Sequence, residues 1–87
     1  MSKLPLAVAL QYDRSAVPVP RVVAKGRGEV GEAILRLARE HGVSVEENAP
    51  LAEALAQVEL GEDIPEALYR AVAEVLIFIL RASGRTP

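Results

Sequence analysis

Few side chains in this sequence have a type and spacing suited to chemistry. The single histidine, His41, follows Arg36 and Arg39 at the end of an amphipathic stretch. A cation there complements the C-terminal end of a helix dipole, whereas catalysis or metal binding needs further His, Cys or clustered carboxylates. Glu46, Glu47, Glu53 and Glu59 are the nearest approach to such a cluster, but their spacing scatters them over a strand end and different helix faces. Gly26-Arg27-Gly28 lies where a strand would pass into a helix and invites a phosphate. The next glycine, Gly31, breaks the G-x-G-x-x-G spacing, Lys25 comes too early, and Glu29 and Glu32 would repel an anion at the helix start. No nucleophile–base pair stands out, and the chain has no Cys, which excludes disulfides and thiolate metal sites. These residues call for no catalytic centre, no metal and no cofactor.

The bulk properties point the same way. Eighty-seven residues make one domain, 1–87. The chain is 51 % hydrophobic but only 3 % aromatic, so Val, Leu, Ile and Ala must build the core. A net charge of −2 gives no electrostatic reason to expect nucleic acid. Met1-Ser2-Lys3-Leu4 opens without a signal-peptide pattern, and the apolar run over 75–80 is too short for a bilayer. A soluble cytoplasmic domain is the expectation.

The elements that would position any site follow from periodicity. Leu6-Ala7-Val8-Ala9-Leu10 predicts a strand over 5–12, and the β-branched run ending at Gly26 a second over 20–25. Pro18 and Pro20 favour an extended connection between them. Val30, Ala33, Ile34, Leu37 and Ala38 predict one face of a helix over 28–41, closed by Gly42. Val43 to Val45 suggests a third strand over 43–46, completing a right-handed parallel βαβ unit. Asn48 or Ala49 caps a helix over 49–57 with Pro50 in its first turn. Residues 58–60 read as a brief edge strand or a turn. Asp63 and Glu66 announce a last helix over 65–82 as a capping pair. The class is α/β: a small mixed sheet of three to four strands, containing a βαβ unit and covered by about three helices. The last helix is apolar all round from Val75 to Leu80 and needs a second burial partner, either the other helices or a partner protein.

Four blocks carry more than their classes. Ala7-Val8-Ala9-Leu10-Gln11-Tyr12-Asp13, Pro20-Arg21-Val22-Val23-Ala24-Lys25-Gly26, Pro50-Leu51-Ala52 with Ala54-Leu55, and 64–76 from Ile64-Pro65-Glu66 to Glu74-Val75-Leu76 occur in one order. That series closely resembles the cytoplasmic C-terminal domain of the FlhB/YscU family, the export-apparatus switch proteins of flagellar and type III secretion systems. The resemblance runs from about 7 to 80. It implies a cytoplasmic protein, peripheral at the export apparatus, with export substrates and export-gate components as partners and no insertion into the membrane.

The departures matter as well. Family members carry a membrane domain ahead of this one and cleave themselves at Asn-Pro-Thr-His, where the asparagine amide attacks its own carbonyl carbon. In register this chain has Ser2-Lys3-Leu4-Pro5, so self-cleavage is not expected and the resemblance implies no enzyme activity. The family strand ahead of the cleavage motif also has no counterpart, which predicts an open sheet edge for strand docking or self-association. The resemblance places a small substrate-binding patch at Val19, Pro20, Ala73 and Leu76. Val19 replaces the commoner alanine and narrows the patch, and plain packing of the helix on the loop is the competing use of these residues. Arg21 and Lys25 match family positions and read as a solvated strand end. Two roles follow: binding of export substrates or apparatus components, or a structural subunit that replaces or complements the cleaved C-terminal fragment of a full-length switch protein.

Overall fold

The computed structural model describes residues 5–13 and 17–82. Ser2-Lys3-Leu4, and with it most of the segment aligned to the cleavage motif, lies outside them. The chain begins with an antiparallel pair, β1 (Leu6–Asp13) and β2 (Val17–Arg27). The apolar run of β1 and the β-branched run of β2 form the strands predicted, and β2 starts earlier than expected, taking in Pro18 and Pro20. Prolines fit there because the register slips between Gln11 and Asp13, where the ladder is already interrupted. A second slip, between Ala9 and Leu10, leaves Val23 as the extra residue of a bulge, so Val22 is fully buried while Val23 is exposed.

Among the described residues the sheet has two strands, and the parallel βαβ unit is absent. Residues 43–48 are irregular and exposed. The reason lies at the far edge of β2, which is occupied by a later segment. Gly61 N–H donates to Val22 O at 2.7 Å, Val22 N–H to Glu62 O at 3.1 Å and Ile64 N–H to Pro20 O at 3.0 Å. Segment 61–64 therefore pairs with β2, just after the 58–60 stretch read as a brief edge strand or a turn.

Helix α1 (Glu29–Glu40) packs against both strands, and α2 (Ala49–Leu55) packs against β1. The buried side of α1 is Gly31 with half-buried Ala33, Ile34, Leu35 and Ala38, so the predicted face holds at 33, 34 and 38, while its Val30 and Leu37 are exposed. Gly31 is the cause. A Cβ there would lie 2.6 Å from Pro5 O and 2.8 Å from Gly26 O, so only glycine permits this approach of helix to hairpin. At the other end Gly42, at φ 69°, donates to Arg39 O while Val43 donates to Ala38 O at 2.8 Å, closing α1 as a Schellman turn. Asn48 caps α2 by accepting from Leu51 N–H at 3.1 Å.

The last helix begins as a 3₁₀ turn, Glu66–Leu68, and continues as α3 (Tyr69–Ala82). No side chain caps that turn. Asp63 instead accepts from Arg21 Nε at 3.4 Å across the bridge to β2, which displaces the predicted capping pair. The core is Val22, Leu55, Ile64 and Val72, with half-buried Val8, Leu10, Val19, Leu51, Val58, Leu68 and Leu76 around it. Sheet, α2 and α3 thus meet at one apolar centre. Ile77, Phe78 and Leu80 stay exposed, so the other helices do not enclose the apolar end of α3.

Candidate binding groove

A groove of about 180 Å³ opens where β2 begins and α3 passes it, lined by Tyr12, Val19, Pro20, Ile64, Tyr69, Val72, Ala73 and Leu76. All four residues singled out in the sequence, Val19, Pro20, Ala73 and Leu76, line it. Two come from the start of β2 and two from a helix more than fifty positions later. The Ile64 N–H···O=C Pro20 bond draws the two walls together. Buried Ile64 and Val72, 3 % and 2 % exposed, floor the groove and tie it to the core.

The walls differ. Val19 and Leu76 are half-buried and pack on the core cluster, whereas Ala73 is exposed. Tyr12 and Tyr69, 39 % and 42 % exposed, stand over the groove and were not among the residues expected there. A signal for Tyr69 was available, because Tyr69, Ala73 and Leu76 fall at i, i+4 and i+7 on one helix flank. Tyr12, at the polar exit of a strand, offered none.

Among the described residues no charged side chain lines the groove. Arg21 and Asp63 form an exposed ion pair nearby. An apolar lining with two phenols suits one or two apolar side chains presented by a peptide.

The residues first considered for chemistry lie elsewhere. His41 is the exposed C-cap of α1, its backbone N–H donating to Leu37 O at 3.0 Å. Arg27 makes a two-pronged contact with Glu53, Nη2 to Oε1 at 2.7 Å and Nη1 to Oε2 at 3.1 Å. That hydrogen bond and the glutamate charge hold the Arg27 pKa above its ordinary value. Gly28 N–H, which a phosphate would need, donates to Pro5 O at 2.8 Å. Among the described residues no three His, Cys, Asp or Glu are grouped so as to hold a metal ion, and no helix is long and apolar enough to cross a membrane. Lys25 is not a solvated strand end: its side chain is partly buried and bonds to the end of α2.

Comparison with known proteins identifies close relatives. Residues 5–79 match the model of the FlhB HrpN YscU SpaS family. The chain is 41 % identical over 75 residues to the uncharacterized protein YlqH of Bacillus subtilis, covering 86 % of this chain and 81 % of that one. It is 47 % identical over 74 residues to the flagellar biosynthetic protein FlhB of Salmonella typhimurium, covering 84 % of this chain but only 19 % of that protein. The cytoplasmic domain of FlhB from Shewanella putrefaciens superposes with a TM-score of 0.82 at 40 % identity, over 93 % of this chain and 67 % of that one. The PscU C-terminal domain also superposes with a TM-score of 0.82, at 33 % identity over 86 % of this chain and 96 % of that one.

Proposed function

The chain belongs to the FlhB HrpN YscU SpaS family, and on that premise we propose that it is a non-enzymatic binding module of the flagellar or type III protein export apparatus. It works in the cytoplasm, where its groove takes short apolar segments of export substrates or of apparatus components. One observation carries this reading. Val19, Pro20, Ala73 and Leu76, from two distant stretches of the sequence, converge with two tyrosines on one groove whose described lining carries no charge. A groove of this size suits a side-chain anchor, and an exposed Ala73 leaves room for it.

The experiment is a titration of the whole chain with peptides from exported flagellar subunits, followed by NMR chemical shifts. Shifts confined to the groove and lost in Ala73→Asp support the reading. Binding that a folded Ala73→Asp variant retains would overturn it.

A second reading rests on the sheet. Among the described residues β1 pairs with β2 along one edge and with no strand along the other. An unpaired edge of this kind accepts a strand, consistent with a subunit that replaces or complements the C-terminal fragment of a full-length switch protein. Retention by a truncated switch protein, unaffected by Ala73→Asp, would favour it.

A further inference from the structure

The outward side of α3 carries a stripe that the groove does not use. Glu74, Ile77, Phe78 and Arg81 fall at i, i+3, i+4 and i+7, on the side of the helix opposite buried Val72. All four are exposed, Ile77 at 48 % and Phe78 at 57 %. The ion pairs among the described residues, Arg21–Asp63 and Arg27–Glu53, involve neither charge of the stripe.

This pattern is its own complement when reversed. Negative Glu74 and positive Arg81 stand at equal distances, about 5 Å along the axis, from a point between Ile77 and Phe78. Two copies of α3 laid antiparallel about that point bring Glu74 of each beside Arg81 of the other at both ends. The Ile77 and Phe78 side chains of both copies fill the middle. Ala73 of one copy falls beside Ala82 of the other, so these two flanking positions are small. A parallel arrangement would set like charges together.

We propose that this stripe is a self-association surface whose occupant is α3 of a second copy of this chain, in an antiparallel, two-fold symmetric pair. The charges select that occupant, because an apolar helix without the reversed pattern would leave both unmatched. One 14-residue helix per copy makes a small interface, so the pair is weak and depends on concentration. The inference does not depend on what the groove binds.

The test is sedimentation velocity on the whole chain over a concentration series, with Glu74→Arg and Arg81→Glu variants run separately and as an equimolar mixture. Both positions are exposed, and far-UV circular dichroism verifies that the variants fold. Wild-type chain is expected to pass from monomer to dimer with rising concentration, less readily in high salt. Each variant alone should associate roughly tenfold more weakly, since both ends become repulsive. The mixture should recover the wild-type dimer, because each reversed charge then meets its opposite. A wild-type chain that stays monomeric into the millimolar range would overturn the proposal. So would a dimer indifferent to both single reversals, or a mixture that fails to recover.

Discussion

Lys25 Nζ lies 2.7 Å from the carbonyl oxygen of Val58 and donates to it, while also donating to Ala56 O at 2.9 Å. A cation from near the end of β2 thus caps the C-terminal end of α2, where carbonyls lack helical partners. Replacing Lys25 with methionine keeps the stem and removes both bonds. Hydrogen bonds to a charged group are each worth about 1.5–3 kcal/mol, and partial exposure puts the loss of the two at the lower end, about 3 kcal/mol together. Urea unfolding of Lys25→Met measures it. A midpoint equal to wild type would show that water replaces the lysine at no cost.

Gly31→Ala sets two effects against each other. Alanine favours a helix over glycine by about 1 kcal/mol. Its Cβ, however, would stand 2.6 Å from Pro5 O and 2.8 Å from Gly26 O, contacts that α1 relieves only by moving off the hairpin. Overpacking of this kind costs about 1–3 kcal/mol, so the net change is a loss of stability. Thermal unfolding decides the sign.

The groove residues separate into probes of binding and probes of packing. Ala73 is exposed, so Ala73→Asp should change stability by no more than about 0.5 kcal/mol while abolishing peptide binding. Leu76 is half-buried against the core cluster, and Leu76→Ala should cost about 1–2 kcal/mol, below the range for fully buried leucines. Denaturation curves recorded beside the titrations tell the two apart. Only the first substitution gives a clean reading of function.

The Arg27–Glu53 pair makes a good contact with little consequence for stability. Both side chains are about half exposed, so solvent and salt screen the pair. The arginine pKa is raised in the folded state by Glu53, so this shift's contribution is fully present at neutral pH and is lost as the pH rises into strong alkali. Arg27→Gln should therefore shift the unfolding midpoint little and leave its pH dependence across neutrality unchanged. Midpoints measured at several pH values and in high salt test this.

Much of this architecture was legible in the residues. Local signals held where the physics is local: Asn48 and Pro50 start α2, Gly42 closes α1, and Gly26 lies near the end of β2. Val19, Pro20, Ala73 and Leu76 line one groove, and only the family resemblance, not their spacing, brought them together in the sequence. Long-range choices were not legible. The 30/33/34/37/38 and 31/33/34/35/38 faces share Ala33, Ile34 and Ala38, and hydrophobicity favours the first because glycine contributes nothing to it. Only the close approach to Pro5 and Gly26 makes Gly31 the buried position. Likewise Val43 and Val45 have strand character, but 61–64 takes the free edge of β2. Asp63 has the type and spacing of a helix cap, yet its partner is Arg21, 42 positions away.

The three backbone bonds joining 61–64 to 20–22 have a consequence for recognition. They tie the segment that leads into α3 to the β2 wall of the groove. Under the proposed function, a peptide docking here would require little ordering of this part of the groove's backbone, and the conformational entropy lost would fall mainly on the guest.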